Sequence, residues 1–101
     1  MSGFSTLRRF VLSAVMLGFA AHAAAAPAPL TLDVYNPGAA AIFPVSSVLV
    51  SGEKDAILVD AQFGKAQAQQ VVDKIRASGK HLTTIYISHG DPDYYFGLET
   101  L

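Results

Sequence analysis

The sequence predicts an α/β domain in which short strands come first and are followed by one helix and a further strand. Three observations predict this class. Residues 30–61 contain short apolar or alternating runs between turn residues, as strands do. Residues 64–78 change to a helical period, and residues 82–89 return to β-branched and aromatic side chains. A strand, a helix and a strand in succession predict a parallel pair of strands in one sheet.

The first three predicted strands are short and closely spaced. The first covers 30–36 and ends in the turn sequence NPG. The second covers 41–51, where Pro44 confines the front half to a sheet edge or a bulge, because proline has no N–H to donate. The third covers 55–61, and its apolar run is typical of a strand buried on both faces.

The helix over 64–78 has the clearest pattern in the chain. Its apolar side chains recur at the spacing of one helix face, at Ala68, Val71, Val72 and Ile75. Gly79 follows, at a position where a helix end favours a left-handed residue. The next strand covers 82–89, and residues 97–101 are predicted to begin a second helix.

Residues 1–26 have the pattern of a secretory signal sequence. Arg8 and Arg9 precede an apolar run over 10–21, and small residues then offer alternative cleavage positions within 23–26. A transmembrane anchor is the alternative, but it needs about 20 strongly apolar residues, and this run gives way to alanine, histidine and proline. The paired arginines also fit the twin-arginine route. We therefore expect a protein exported to the periplasm or secreted, without a stable membrane anchor.

Composition limits the partners and the stability of the remaining chain. Residues 27–101, which are 101 minus 26 or 75 in number, carry five basic and eight acidic side chains, a net charge of −3. This balance does not suggest a nucleic-acid partner. A domain of this size buries only about 60% of its unfolded surface, and exported mini-domains usually add disulfides. With no cysteine, we expect either marginal stability or the front part of a larger domain.

The segment ISHGDPDYY carries the candidate site. His89, Asp91 and Asp93 are spaced two apart, and Pro92 favours an extended conformation at Asp91. Residues two apart in extended backbone point to one side, so one imidazole and two carboxylates can converge on a metal ion. Such a set suits Zn²⁺, iron or Mn²⁺. The alternative is a structural histidine followed by an ordinary Asx-type turn.

Two further features border this segment. Parallel strands end at one edge of a sheet, so Asp60 is expected to lie near His89, at the carboxyl edge where open α/β sheets keep their sites. Asp60 is either a turn residue after a buried strand or an acceptor that orients His89 or its loop. The aromatic run over 94–96 either packs against the sheet edge or offers a tyrosine hydroxyl to a bound water or an oxyanion. His81 is expected at the surface.

The segments DAILVDAQFG and TTIYISHGDPDYYFGLE, separated by the predicted helix, resemble the front of metallo-β-lactamase-fold hydrolases over roughly residues 42–101. In that family an LIDTG-like strand end leads through a helix to a [ST]-H-x-H-x-D-H motif followed by glycine. The matching positions are Asp60, Ser88, His89, Asp93 and Gly97. Two positions depart from the motif, because Asp91 stands where the second histidine is expected and Tyr94 where the third is expected.

The resemblance implies the front half of a four-layered αββα sandwich and metal-assisted hydrolysis of an ester, amide or lactone. His89, Asp91 and Asp93 are the implied metal ligands, and Asp93 is implied to hold the attacking water and to accept its proton. Zinc is the expected ion, and iron or manganese also fit. The variant motif favours one ion, or an altered pair, over the usual two zinc ions.

The resemblance also implies that this chain is incomplete. The family's remaining ligands lie downstream of position 101, so uncovered apolar sheet surface is expected and the chain alone is expected to be inactive. Two other functions are compatible with the fold. One is a non-catalytic binding module whose metal site has been eroded by Asp91 and Tyr94, and the other is a flavodiiron-like iron redox protein.

Overall fold

A computed structural model describes residues 28–101, and the predicted signal sequence over 1–26 lies outside the described residues. The described chain forms a four-stranded sheet whose strands are β1 Thr31–Tyr35, β2 Ser47–Ser51, β3 Asp55–Val59 and β4 His81–Tyr86. The helices are α1 Lys65–Ser78 and the short α2 Pro92–Tyr95, and 3₁₀ turns cover Gly38–Ala40 and Phe96–Thr100. The predicted α/β class is therefore confirmed.

The sheet has the strand order β1-β2-β3-β4. The pairs β1/β2 and β2/β3 are antiparallel. The pair β3/β4 is parallel, and α1 connects these two strands along the chain. Leu58 at the centre of the sheet lies opposite Leu49 on β2 and opposite Ile85 on β4. The predicted parallel pair is confirmed, and its two strands end at the same edge.

The second strand is shorter than predicted, because the structure begins it at Ser47 rather than at 41. The residues before it form a wide loop held by the side chain of Asn36. Its amide nitrogen donates to the Pro44 carbonyl and to Ser46 Oγ, each at 2.9 Å. Its amide oxygen accepts from the Gly38 N–H at 2.8 Å, which makes an Asx turn. These local bonds compete with a sheet ladder, to which Pro44 has no N–H to contribute.

The two parallel strands end earlier than predicted, β3 at Val59 instead of 61 and β4 at Tyr86 instead of 89. The reason lies in the backbone of the turn after β3, where Asp60 has φ 65° and Gln62 has φ 70°. Left-handed residues cannot continue a strand. The Asp60 N–H still donates to the Tyr86 carbonyl at 2.8 Å. Residues 87–89 thus leave the sheet as a loop beside this turn.

Helix α1 covers one face of the sheet, and its bounds agree with the predicted 64–78. Gly79 has φ 66° and ends the helix, as predicted. The core between helix and sheet is made of side chains that are at most 4% exposed: Leu49, Ala56, Leu58, Ala68 and Val71. Lys74 also reaches from α1 to Asp33 on β1 with an N–O distance of 3.0 Å. The hydrophobic core therefore lies on this face.

The opposite face of the sheet is apolar and exposed. Leu32 is 63% exposed, Val34 and Tyr86 are each 58% exposed, and Ile57 is 38% exposed. The uncovered apolar sheet surface expected from the sequence is therefore present. Among the helices of residues 28–101, none is long and apolar enough to cross a membrane.

The second helix starts earlier than the predicted 97–101. Pro92 is its first residue, a position that suits proline because a helix leaves its first N–H groups without helical partners. Asp91 precedes it in extended conformation, with φ −82° and ψ 141°. After one turn the chain tightens into the 3₁₀ segment Phe96–Thr100, in which Gly97 is buried against the turn that follows β3.

Candidate functional site

The candidate site lies at the carboxyl edge of β3 and β4. Asp60, only 6% exposed, directs its carboxylate at the loop that follows β4. Its Oδ1 accepts from the Ser88 backbone N–H at 2.8 Å, and its Oδ2 lies 2.6 Å from Ser88 Oγ. The expected closeness of Asp60 to the His89 segment is confirmed. Of the two interpretations of Asp60, the acceptor that holds the loop fits these contacts.

His89 joins this network through its neighbour in sequence. Ser88 Oγ lies 2.7 Å from Nδ1 of His89, so one hydroxyl touches both the buried carboxylate and the imidazole. His89 is itself exposed. A solvent-facing imidazole anchored on one nitrogen can bind a ligand or move a proton on its other nitrogen.

Tyr94 packs against the imidazole from a different direction. The two rings stack with centroids 4.4 Å apart and planes inclined by 28°. The Tyr94 carbonyl accepts from the Ala61 N–H at 2.8 Å, and its own N–H donates to the Asp91 carbonyl at 3.1 Å. The backbone of Tyr94 is therefore fixed to the turn that holds Asp60. A hydrogen-bonding role of its hydroxyl stays a prediction.

The rest of the aromatic run packs as one of its two interpretations expects. Phe96 stacks on Phe63 with ring centroids 5.3 Å apart, and Tyr95 meets Phe96 edge to face. Phe63 in turn makes an edge-to-face contact with Phe43 at 5.0 Å. His81 is at the surface as expected, with 79% of its side chain exposed.

The structure does not bring His89, Asp91 and Asp93 to one point. Asp91 is extended as predicted, but Asp93 lies in the first turn of α2, so the prediction of an extended segment as far as Asp93 is wrong. Proline at the start of a helix stabilises this turn. Within residues 28–101, no three histidine, aspartate or glutamate side chains form a group that holds a metal ion.

The chemical types of these side chains suit a metal ion, but their arrangement does not complete a metal site. One imidazole and several carboxylates at one rim are an N/O set that fits Zn²⁺, iron or Mn²⁺. A catalytic zinc takes about three protein ligands and a water molecule. Because the described side chains supply no group of three, they do not complete a coordination sphere. The roles of His89, Asp91 and Asp93 as ligands stay predictions.

Gln62 supports the site and was not predicted from the sequence. It is fully buried, with φ 70°, and its amide nitrogen donates to the Val45 carbonyl at 2.7 Å and to Ser47 Oγ at 2.8 Å. These bonds tie the turn after β3 to the start of β2. A single glutamine in a turn has no sequence pattern that indicates burial, so its partners appear only in three dimensions.

Replacing Asp60 by alanine is expected to lower the free energy of unfolding by about 2–4 kcal/mol. The change removes two hydrogen bonds to a charged acceptor, and alanine tolerates the left-handed backbone of this position poorly. Urea denaturation measures the difference. Asp60→Asn, which keeps an acceptor and tolerates a positive φ, is expected to lose less. Asp55→Ala removes an exposed aspartate at the opposite edge, and an equal loss in that control would contradict a special role for Asp60.

Comparison with known proteins agrees with the family resemblance seen in the sequence. The model of the metallo-beta-lactamase superfamily matches residues 40–101, which is more than half of the chain. A search of curated proteins finds no significant match. The matched region contains the whole candidate site, from Asp60 through Ser88 and His89 to Asp93. Members of the superfamily typically bind metal ions, and many are hydrolases. The chain therefore belongs to the metallo-beta-lactamase superfamily.

Proposed function

We propose that the protein is a metal-dependent hydrolase that acts on an ester, amide or lactone of a small molecule. The observation that carries this proposal is the Asp60–Ser88–His89 network, which anchors an exposed imidazole at the carboxyl edge of the sheet. Membership of a superfamily rich in hydrolases supports it. A bound metal ion lowers the pKa of its water and polarises the oxygen under attack.

The proposed roles follow from where each side chain stands. His89 offers an imidazole nitrogen as a donor, and Asp91 offers an exposed carboxylate directly before α2. Asp93, half-buried in the first turn of α2, is proposed to accept a proton from the nucleophile. Residues 28–101 form no group of three such side chains, and we propose that further donors complete the site. The 101-residue chain on its own is therefore proposed to be inactive.

We propose that the site binds one metal ion and not two. Asp91 and Tyr94 stand where the superfamily's motif has histidines, and the Tyr94 ring stacks on His89 instead of offering a nitrogen. Zinc is the proposed ion, and iron or manganese fits the same donors. Export to the periplasm or the medium without a membrane anchor, and the lack of a nucleic-acid partner, are also proposals. Cell fractionation tests the first of these.

Metal analysis of the native protein, purified from the cells that make it, tests the proposed function. We expect bound zinc at about one ion per chain, together with turnover of an ester, lactone or β-lactam that a chelator abolishes. Two irons with reduction of oxygen or nitric oxide would instead identify a redox protein. A metal-free protein that turns over none of these compounds would identify a binding module. Either of these results would overturn the proposal.

A further inference from the structure

We propose that Ser88 and Tyr94 are positioning residues that hold the His89 imidazole in one tautomer and one orientation, with Nε2 as its free electron-pair donor. Ser88 contacts the edge of the ring and Tyr94 contacts its face. We call this arrangement the His89 clamp. The clamp itself consists of contacts within the chain. Only the identity of the group that Nε2 binds, a metal ion, rests on the proposed function.

The tautomer follows from counting protons along the network. The Asp60 carboxylate only accepts hydrogen bonds, so Ser88 Oγ, 2.6 Å away, donates its single proton to Oδ2. The same oxygen lies 2.7 Å from Nδ1 of His89 and has no second proton to give. The neutral imidazole must therefore donate from Nδ1. Its lone pair is left on Nε2, whereas neutral imidazoles in water favour the tautomer with the proton on Nε2.

The orientation of the ring follows from its stacking on Tyr94. An exposed imidazole held by one hydrogen bond can still swing about that bond, but a ring at 4.4 Å closes off one side. Tyr94 cannot itself swing freely, because its backbone is bonded to Ala61 and Asp91. Stacking needs an aromatic ring and does not need the hydroxyl group. The superfamily motif has a histidine at the position of Tyr94. In this chain the tyrosine ring instead holds the proposed metal ligand His89 in place.

An imidazole held in one orientation is expected to bind a metal ion more tightly than a mobile one. Hydrogen-bond partners of metal-binding histidines fix the tautomer and the ring direction, and their loss typically lowers metal affinity by about 10- to 100-fold. An imidazole that is already fixed loses less rotational freedom when it binds. The clamp therefore predicts that changes at Ser88 and Tyr94 alter zinc affinity although neither residue is proposed as a ligand.

Nitrogen-15 NMR of the zinc-free 101-residue chain tests the clamp. In alkaline buffer, where imidazoles are neutral, His89 is expected to carry its proton on Nδ1 and to show upfield-shifted ring protons from stacking on Tyr94. His81 is not a control for the tautomer, because its Nδ1 lies 3.3 Å from the Asp55 carboxylate and can donate to it. The control for the tautomer is therefore Ser88→Ala. Single histidine-to-glutamine variants assign the signals. A proton on Nε2 of His89 in the wild-type chain would overturn the proposal.

Three variants separate the two contacts of the clamp. Ser88→Ala is expected to return His89 to the tautomer of free imidazole and to weaken zinc binding by about 10- to 100-fold, and Ser88→Thr is expected to restore both. Tyr94→Phe is expected to keep the ring-proton shifts and the zinc affinity, and Tyr94→Leu to lose both. Equal behaviour of the Phe and Leu variants would overturn the stacking role. If the Leu variant does not fold, the ring-proton shifts of the wild type and of Tyr94→Phe still decide it.

The clamp and the proposed function fail in different experiments. A protein that shows the predicted tautomer but holds no zinc and turns over no substrate keeps the clamp and loses the hydrolase. A zinc-dependent hydrolase whose His89 carries its proton on Nε2 keeps the function and loses the clamp.

Discussion

Replacing Gly97 by alanine is expected to lower the free energy of unfolding by about 3 kcal/mol or more. A Cβ at this position overlaps the Ala61 carbonyl oxygen and comes within 2.9 Å of both the Ala68 Cβ and the Gln62 carbonyl oxygen. The Gly97 N–H also donates to Gln62 at 2.8 Å, which fixes the distance between the two backbone segments. Overpacking typically costs about 1–3 kcal/mol, and two of these three neighbours are backbone atoms that cannot rotate away.

Urea denaturation checks this expectation, with Gly90→Ala as the matched control. An added Cβ at Gly90 has no neighbour within 4 Å, so that variant is expected to change stability by no more than about 0.5 kcal/mol. The Gly97 variant is also expected to lose the stacking of Tyr94 on His89, because Gly97 docks the end of α2 onto the turn after β3. Equal stability of the two variants would show that the segment 96–100 is not packed as described.

His89→Ala is expected to abolish saturable zinc binding by the native protein. The imidazole is the nitrogen donor of the proposed site, and the remaining carboxylates of one rim bind zinc weakly without it. His89 is exposed, so its removal should change the free energy of unfolding by about 1 kcal/mol or less. Isothermal titration with zinc measures the loss. The lost binding can then be assigned to the lost donor and not to unfolding.

Matched controls make the zinc experiment specific. His81→Ala removes another exposed histidine, from the opposite edge of the sheet, and should leave binding unchanged. Asp93→Ala is expected to weaken binding sharply, whereas Asp73→Ala on the exposed side of α1 is not. Binding that survives both His89→Ala and Asp93→Ala would reduce the segment SHGDPD to an ordinary turn.

The parts of the fold that follow from local pattern could be predicted from the sequence. Helix α1 was recognisable because its apolar spacing and Gly79 agree on the same bounds. The parallel pairing of β3 and β4, and with it the closeness of Asp60 to the His89 loop, follows from the order of strand, helix and strand.

The parts that depend on contacts between distant residues could not be predicted. The start of β2 is set by the side chain of Asn36, eight residues before the Pro44 carbonyl that it binds. The end of β3 is set by positive φ angles at Asp60 and Gln62, of which only an aspartate is a residue type that favours them.

The candidate site likewise has features that the sequence predicts and features that it does not. Ser88, His89 and the acidic residues were identifiable from the motif, but how far their side chains converge depends on where α2 begins. Pro92 favours an extended conformation at Asp91, and Asp91 is extended. Pro92 is also the first residue of α2, so Asp93 lies in a helical turn and not in an extended segment. For Tyr94 the sequence leaves packing and a hydrogen-bonding hydroxyl as alternatives, and the structure shows that its ring packs on the imidazole of His89.

The edge formed by Asp60, Ser88 and His89 is proposed to be where this protein binds a metal ion. The test is to add zinc to the isotope-labelled native protein and to follow the amide and imidazole shifts of residues 28–101 by NMR. We expect saturable shift changes confined, among the described residues, to 60–62 and 88–95, with the largest change at Nε2 of His89. Changes centred on His81 and Asp55, or no saturable change anywhere in the chain, would contradict it.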